Sequence, residues 1–128
     1  MIILQKKKAP RYVRNEGITS YLFASALTSG AQYLTTSLVE IKPGGKQRMH
    51  SHAPEQVYYM LEGTGIMTVG TETGSIVPGD CVFIPSGMAH GLMNDGKMTL
   101  KYFSAAAPAF EREQLKKFWP LESEEVEQ

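Results

Sequence analysis

The chain has a single cysteine, Cys81, so no internal disulfide can form and the makeup is not that of a small secreted domain held by sulfur bridges. Net charge is absent too. Thirteen basic residues balance thirteen acidic ones, which removes the positive field on which non-specific nucleic-acid binding depends. No apolar run approaches the roughly eighteen residues of a membrane-spanning helix. The opening MIILQKKK puts its apolar residues before its lysines, the reverse of a secretory signal. Lys6, Lys7 and Lys8 read as a solvated terminus. The expectation is a cytoplasmic protein that binds neither nucleic acid nor membrane. At 128 residues and 42% apolar composition, one domain over 1–128 with one core is expected.

Turn chemistry is what the chain has in quantity. Glycine and proline punctuate its middle at Pro43-Gly44-Gly45, Gly63, Gly65, Gly70, Gly74, Pro78-Gly79, Pro85, Gly87, Gly91 and Gly96. Between them lie short runs rich in β-branched and aromatic residues, at 20–27, 33–41, 57–61, 66–69, 81–84 and 98–103. Short strands with turns at such intervals predict an all-β barrel or sandwich. Only FEREQLKKF, 110–118, looks helical, with Phe110, Leu115 and Phe118 spaced for one face. Pro120 should end it, and the acidic stretch 121–128 should fray.

Histidine is scarce, three in the chain, yet two of them open the segment HSHAPEQVYYMLEG at 50–63. His-x-His on a strand puts both imidazoles on one face, about 7 Å apart along the backbone at ~3.3 Å rise per residue. Taken alone, the pair is weak evidence for a metal. If 48–62 were continuously extended, Arg48, His50, His52, Gln56, Tyr58, Met60 and Glu62 would share one face, and Glu55, Val57, Tyr59 and Leu61 the other. Pro54 cannot donate to a ladder, so a break at Ala53-Pro54 is expected.

Residues 79–94 read GDCVFIPSGMAHGLMN. Together the two segments resemble the two motifs of the cupin family. In the first, Gly44, His50, His52 and Gly63 fall at the family's spacing, with Gln56 where the family carries Glu. In the second, Gly79, Pro85, Gly87, His90 and Asn94 match throughout. The matched core spans 44–94, with flanking strands expected at about 18–43 and 97–104.

The resemblance implies an antiparallel jelly-roll β-barrel with a short C-terminal helix at about 110–118. It also implies one divalent transition metal per chain in the barrel mouth: Zn, Ni, Fe, Mn or Cu. His50, His52 and His90 would be its ligands, with Gln56 in the acidic position and Glu55, one residue too early for the spacing, as the alternative. Asn94 would support the backbone. A homodimer is implied as well, with Met1 to Leu4 as a candidate exchanged strand. Three imidazoles and an amide leave the full charge of a divalent ion uncancelled. Such a site should hold metal less tightly than a Glu site and attract anionic oxygen ligands more strongly. Family members with Gln here are known among those acting on uronate-derived sugars and in polyketide cyclisation.

Other residues are candidates around this centre. Tyr58 and Glu55 are candidate proton carriers. Arg48 and Tyr102 are candidate substrate contacts, Arg48 as a carboxylate clamp. The bland readings are an exposed strand-end arginine and packed tyrosines. Met60, Met67, Met88, Met93 and Met98 offer a soft pocket lining or ordinary packing. Cys81 is expected to be a small buried hydrophobe. The leading functional expectation is a metal-dependent enzyme for a small anionic, oxygen-rich metabolite, with isomerase, lyase or dehydratase chemistry. The alternatives are a metal-dependent dioxygenase and a non-catalytic sugar or small-molecule binding module. A pocket without a titratable group beside the metal would favour the last.

Overall fold

The structure is a computed structural model that describes residues 1–119, the side chain of Phe118 excepted. Pro120 and the stretch 121–128 lie outside the described residues. A 3-10 turn, Lys6–Lys8, leads into ten strands: β1 (Arg11–Arg14), β2 (Ile18–Leu22), β3 (Thr35–Ile41), β4 (Lys46–His50), β5 (Glu55–Glu62), β6 (Gly65–Val69), β7 (Glu72–Ile76), β8 (Cys81–Ile84), β9 (His90–Met93) and β10 (Leu100–Ala107). One helix, α1 (Arg112–Phe118), follows, its start fixed by reciprocal hydrogen bonds between Glu111 and Gln114.

The strands form two antiparallel sheets, in the orders β1-β2-β3-β10-β5-β8 and β4-β9-β6-β7. From β3 onward the chain alternates between the sheets except at the β6–β7 hairpin, in the pattern of a jelly roll, and the fold is a jelly-roll barrel. Among the described residues no helix is long and apolar enough to cross a membrane.

Strand periodicity decides what the barrel holds. In β3, Thr35, Ser37, Val39 and Ile41 point in; in β10, Leu100, Tyr102, Ser104 and Ala106 do. Reading β10 from its start therefore crosses three environments. Leu100 sits in a closed apolar core with Ile18, Ile41, Met60, Met67, Ile84 and Leu92. Tyr102 and Ser104 face a cavity. Ala106 belongs to a second apolar cluster, in which Leu22, Phe110, Leu115 and Trp119 pack the C-terminal helix onto the barrel's end. Leu115 thus takes its expected place on the helix face, whereas Phe110 packs there from the segment before the helix, which starts at Arg112 rather than at 110. The closed core fixes one end of the barrel, and the helix borders the other.

Several expectations need correction. Residues 23–34 run as bends and turns rather than as strand, and β1, β7 and β9 were not anticipated as strands. Met1 to Leu4 is exposed and outside any strand of the single chain. Cys81 is exposed, not buried, because Val82 and Ile84 take the inward positions of β8 and leave Cys81 and Phe83 facing out.

A candidate metal centre in the barrel mouth

The break expected at Ala53-Pro54 is larger than a bulge: β4 ends at His50 and β5 begins at Glu55 in the other sheet. His52 lies in the connection. The loop carrying the second motif pins that connection in place. The Gly87 amide donates to the His52 carbonyl at 2.9 Å, and the Ser86 hydroxyl donates to the Ala53 carbonyl. Gly87 adopts a positive φ of 75° that a side chain would resist. The turn residues of one motif thus position a histidine of the other.

A second irregularity sets His50. Within β4, Gln47 points inward and hydrogen-bonds two buried tyrosines. Regular alternation would then send His50 outward. A bulge between Gln47 and His50 resets the phase and places His50 opposite His90 on β9. The same bulge corrects the expected pairing of Arg48 with His50 on one face. Arg48 stands at the cavity rim with its side chain 76% exposed, its Nε 3.3 Å from Glu16 Oε2.

The three imidazoles converge. Ring centroids are 4.2 Å apart for His50–His90, 5.1 Å for His52–His90 and 5.5 Å for His50–His52. One nitrogen from each ring lies within 4.8 Å of those of the other two, close enough for one ion. Each Nδ1 faces a backbone carbonyl: Arg48 at 2.8 Å for His50, Pro54 at 3.3 Å for His52 and Met88 at 3.0 Å for His90. A carbonyl can only accept, so each Nδ1 carries the proton and each Nε2 keeps its lone pair. Burial lowers all three pKa values, that of His90 to about 4, so the rings are neutral and able to ligate at neutral pH. His90 is fully buried, and its Nε2 has no hydrogen-bond partner.

Gln56 lines the same cavity as His50 and His52. Its Nε2 donates to Ser104 Oγ at 2.8 Å, which fixes the amide's orientation, and its buried Oε1 has no hydrogen-bond partner. Two orphaned lone pairs, on His90 and Gln56, beside two more imidazoles are a donor set that suits a divalent transition metal. The residues therefore fit the metal that the resemblance implied. Glu55 does not join them: it is exposed, faces away from Gln56 on β5 and is absent from the cavity wall.

The cavity has a volume of about 820 Å³. Tyr58 and Tyr102 line it, each 1% exposed, their rings stacked at 4.1 Å. Gln47 links them, accepting from the Tyr58 hydroxyl at 3.2 Å and donating to that of Tyr102 at 2.9 Å. Burial pushes Tyr58 up to about 12 and Tyr102 well above the ordinary tyrosine value. Both are hydroxyl donors, not bases, near neutral pH. Met60 and Met67 belong to the core, Met88, Met93 and Met98 are exposed, and none of the five lines this cavity. Asn94 acts as expected, its side chain bonding the Ile41 and Met98 carbonyls and the Gly96 amide.

The sequence reading missed Arg14, Ser20, Ser37, Gln47 and Ser104, all on the cavity wall. Strand parity signals Ser104, two residues beyond Tyr102. Gln47 is hidden by the bulge, and Arg14, Ser20 and Ser37 lie outside the motifs.

The cupin-domain family model matches residues 37–105, more than half of the chain, and the chain belongs to the cupin family. An uncharacterized protein of Methanocaldococcus jannaschii is 30% identical over 109 residues, covering 83% of this chain and 86% of that one. A dimethylsulfoniopropionate lyase of Ruegeria pomeroyi is 30% identical over 78 residues, 61% of this chain and 51% of the lyase. Among solved structures, the polyketide cyclase RemF from Streptomyces resistomycificus superposes with a TM-score of 0.72 at 24% identity, over 84% of this chain and 79% of that one.

Proposed function

We propose that this chain is a metal-dependent enzyme acting on a small, anionic, oxygen-rich metabolite by isomerase, lyase or dehydratase chemistry. The observation that carries the reading is a set of free lone pairs: three converging histidines locked in one tautomer, two of them on the cavity wall, and the orphaned Oε1 of Gln56 on the same wall. His50, His52, His90 and Gln56 would hold the ion. A bound divalent ion supplies Lewis acidity toward a carboxylate, enol or hydroxy-keto oxygen. The chain's own residues supply the rest. The neutral ligand set leaves the site electropositive, and Tyr58 offers a hydroxyl that stays protonated at neutral pH. A relationship to a lyase over part of the chain supports the same class.

The test is carbon-bound hydrogen exchange in deuterated water, followed by NMR, with metal-loaded protein and small hydroxy and keto acids. Exchange beside the carbonyl, lost in His90→Ala, is expected. No exchange with any acid that binds would contradict the enzyme reading.

One observation favours the binding-module alternative. Glu16 is the lone carboxylate on the described cavity wall, and it is paired with Arg48, so no carboxylate base is free there. A dioxygenase would instead retain iron and consume oxygen. The homodimer stands as a proposal whose check is the mass in solution by light scattering.

A further inference from the structure

We propose that Arg14 anchors a carboxylate on the molecule that occupies the histidine cavity, with Ser20 and Ser37 as hydroxyl partners. The proposal rests on reading this cavity as a ligand site and adds the chemistry of the ligand's second end.

Two arginines line the cavity wall, and their situations differ. Arg48 has Glu16 at 3.3 Å. Arg14, at the end of β1, forms no ion pair with a described residue, and its buried Nε–H has no hydrogen-bond acceptor. Its guanidinium stacks over the Tyr12 ring at 5.3 Å from the centroid, which fixes the group without neutralising it.

Ser20 and Ser37 stand on neighbouring strands, 5% and 7% exposed, and both line the cavity. Their hydroxyls make no hydrogen bond to another described residue. Hydroxyls that face a cavity beside a fixed cation are where a polar ligand completes the bonding. A fixed cation with two hydroxyls on β1, β2 and β3 therefore shares the cavity with His50 of β4 and His52 of the connection after it, whose rings adjoin the fully buried His90 of β9. The planar fork of a guanidinium matches the two oxygens of a carboxylate. The chemical class this fits is a hydroxy acid: a carboxylate for Arg14, hydroxyls for the serines, and an oxygen donor toward the histidine centre.

The experiment is calorimetric titration of nickel-loaded protein with glycolate, L-malate and D-gluconate, hydroxy acids of increasing length, and with inorganic phosphate. Metal content is measured on every sample. At least one hydroxy acid should bind wild type and Lys97→Gln, a change at an exposed lysine outside the cavity wall, alike. In Arg14→Gln it should bind about tenfold or more weakly, the scale expected for a lost charge-assisted hydrogen bond, while metal content is unchanged. Arg14→Lys, which keeps the charge and loses the fork, should also weaken binding, and it decides the matter should Arg14→Gln not fold. Undiminished affinity in either variant overturns the proposal. So does phosphate binding tighter than every hydroxy acid, or loaded wild type binding none of them. Wild type that takes up no metal overturns the underlying reading instead, and the proposal falls with it.

Discussion

At Gln56 the amide nitrogen is tied to Ser104 and the carbonyl oxygen is left without a partner, although it is buried. A side chain held in that way is oriented for something else. Changing it to Glu keeps the length, lets the Ser104 hydroxyl donate to the new carboxylate, and adds a negative charge to the donor set. Gln56→Glu should therefore hold metal about tenfold more tightly or better, measured by competition with a chelator. Unchanged affinity would mean that residue 56 does not ligate. Asn94 shows the opposite case, a matched motif residue whose work is structural. It is 1% exposed and makes three hydrogen bonds, two of them at 2.8 Å to carbonyls. Asn94→Ala should cost roughly 2–4 kcal/mol in chemical denaturation, because it leaves buried backbone groups unpaired. The metal content of the folded fraction should not change.

At the scale of elements, the sequence disclosed the strands that carry motifs or clean alternation and hid those that do not. Parity within β5 and β10 was legible, so Gln56, Tyr58 and Tyr102 were placed inward from sequence. Parity across β4 was not, because nothing local to KQRMH marks a bulge; it arises from pairing with β9 and from the demand of two buried tyrosine hydroxyls for Gln47. The expected placement of Arg48 on the face of His50 failed for that reason. Arg14, Ser20 and Ser37 join the cavity through β1–β2–β3 pairing, a tertiary fact with no local signature. The turns are more legible than the strands they join. Gly63 has a φ of 75°, and a Cβ there would sit 2.8 Å from both Leu100 Cα and Thr99 O. Gly74 has open space and no positive φ. Gly63→Ala should therefore cost about 2 kcal/mol or more through strain and backbone clash, while Gly74→Ala should lie within about 0.5 kcal/mol of wild type. A thermal melt of the two variants side by side checks this.

For the whole molecule, the histidine cluster couples stability to pH. The folded-state pKa values of His50, His52 and His90 lie below the ordinary value of 6.5, chiefly because burial disfavours the charged ring. Above pH 6.5 the rings are neutral in both folded and unfolded chains, and no penalty arises. Below it the unfolded chain takes up protons that the folded chain refuses. Metal-free protein should thus lose stability as the pH falls below about 6.5, His90 contributing up to about 1.4 kcal/mol per pH unit down to about pH 4, with His50 and His52 acting in the same direction. Denaturant melts across this range should show that slope flattened in His90→Gln, whose amide does not titrate. The same neutrality leaves the three rings able to ligate a metal near pH 7.

The central claim is that four uncharged donors form one metal centre. The most direct test is elemental mass spectrometry of tag-free, chelator-free protein for wild type, His50→Ala and His90→Ala, with circular dichroism to confirm folding. The account predicts about one divalent transition metal per wild-type chain and sharp loss in both variants, since each removes one of three converging ligands. Folded wild type that stays metal-free after incubation with Zn, Ni, Fe, Mn and Cu would contradict it.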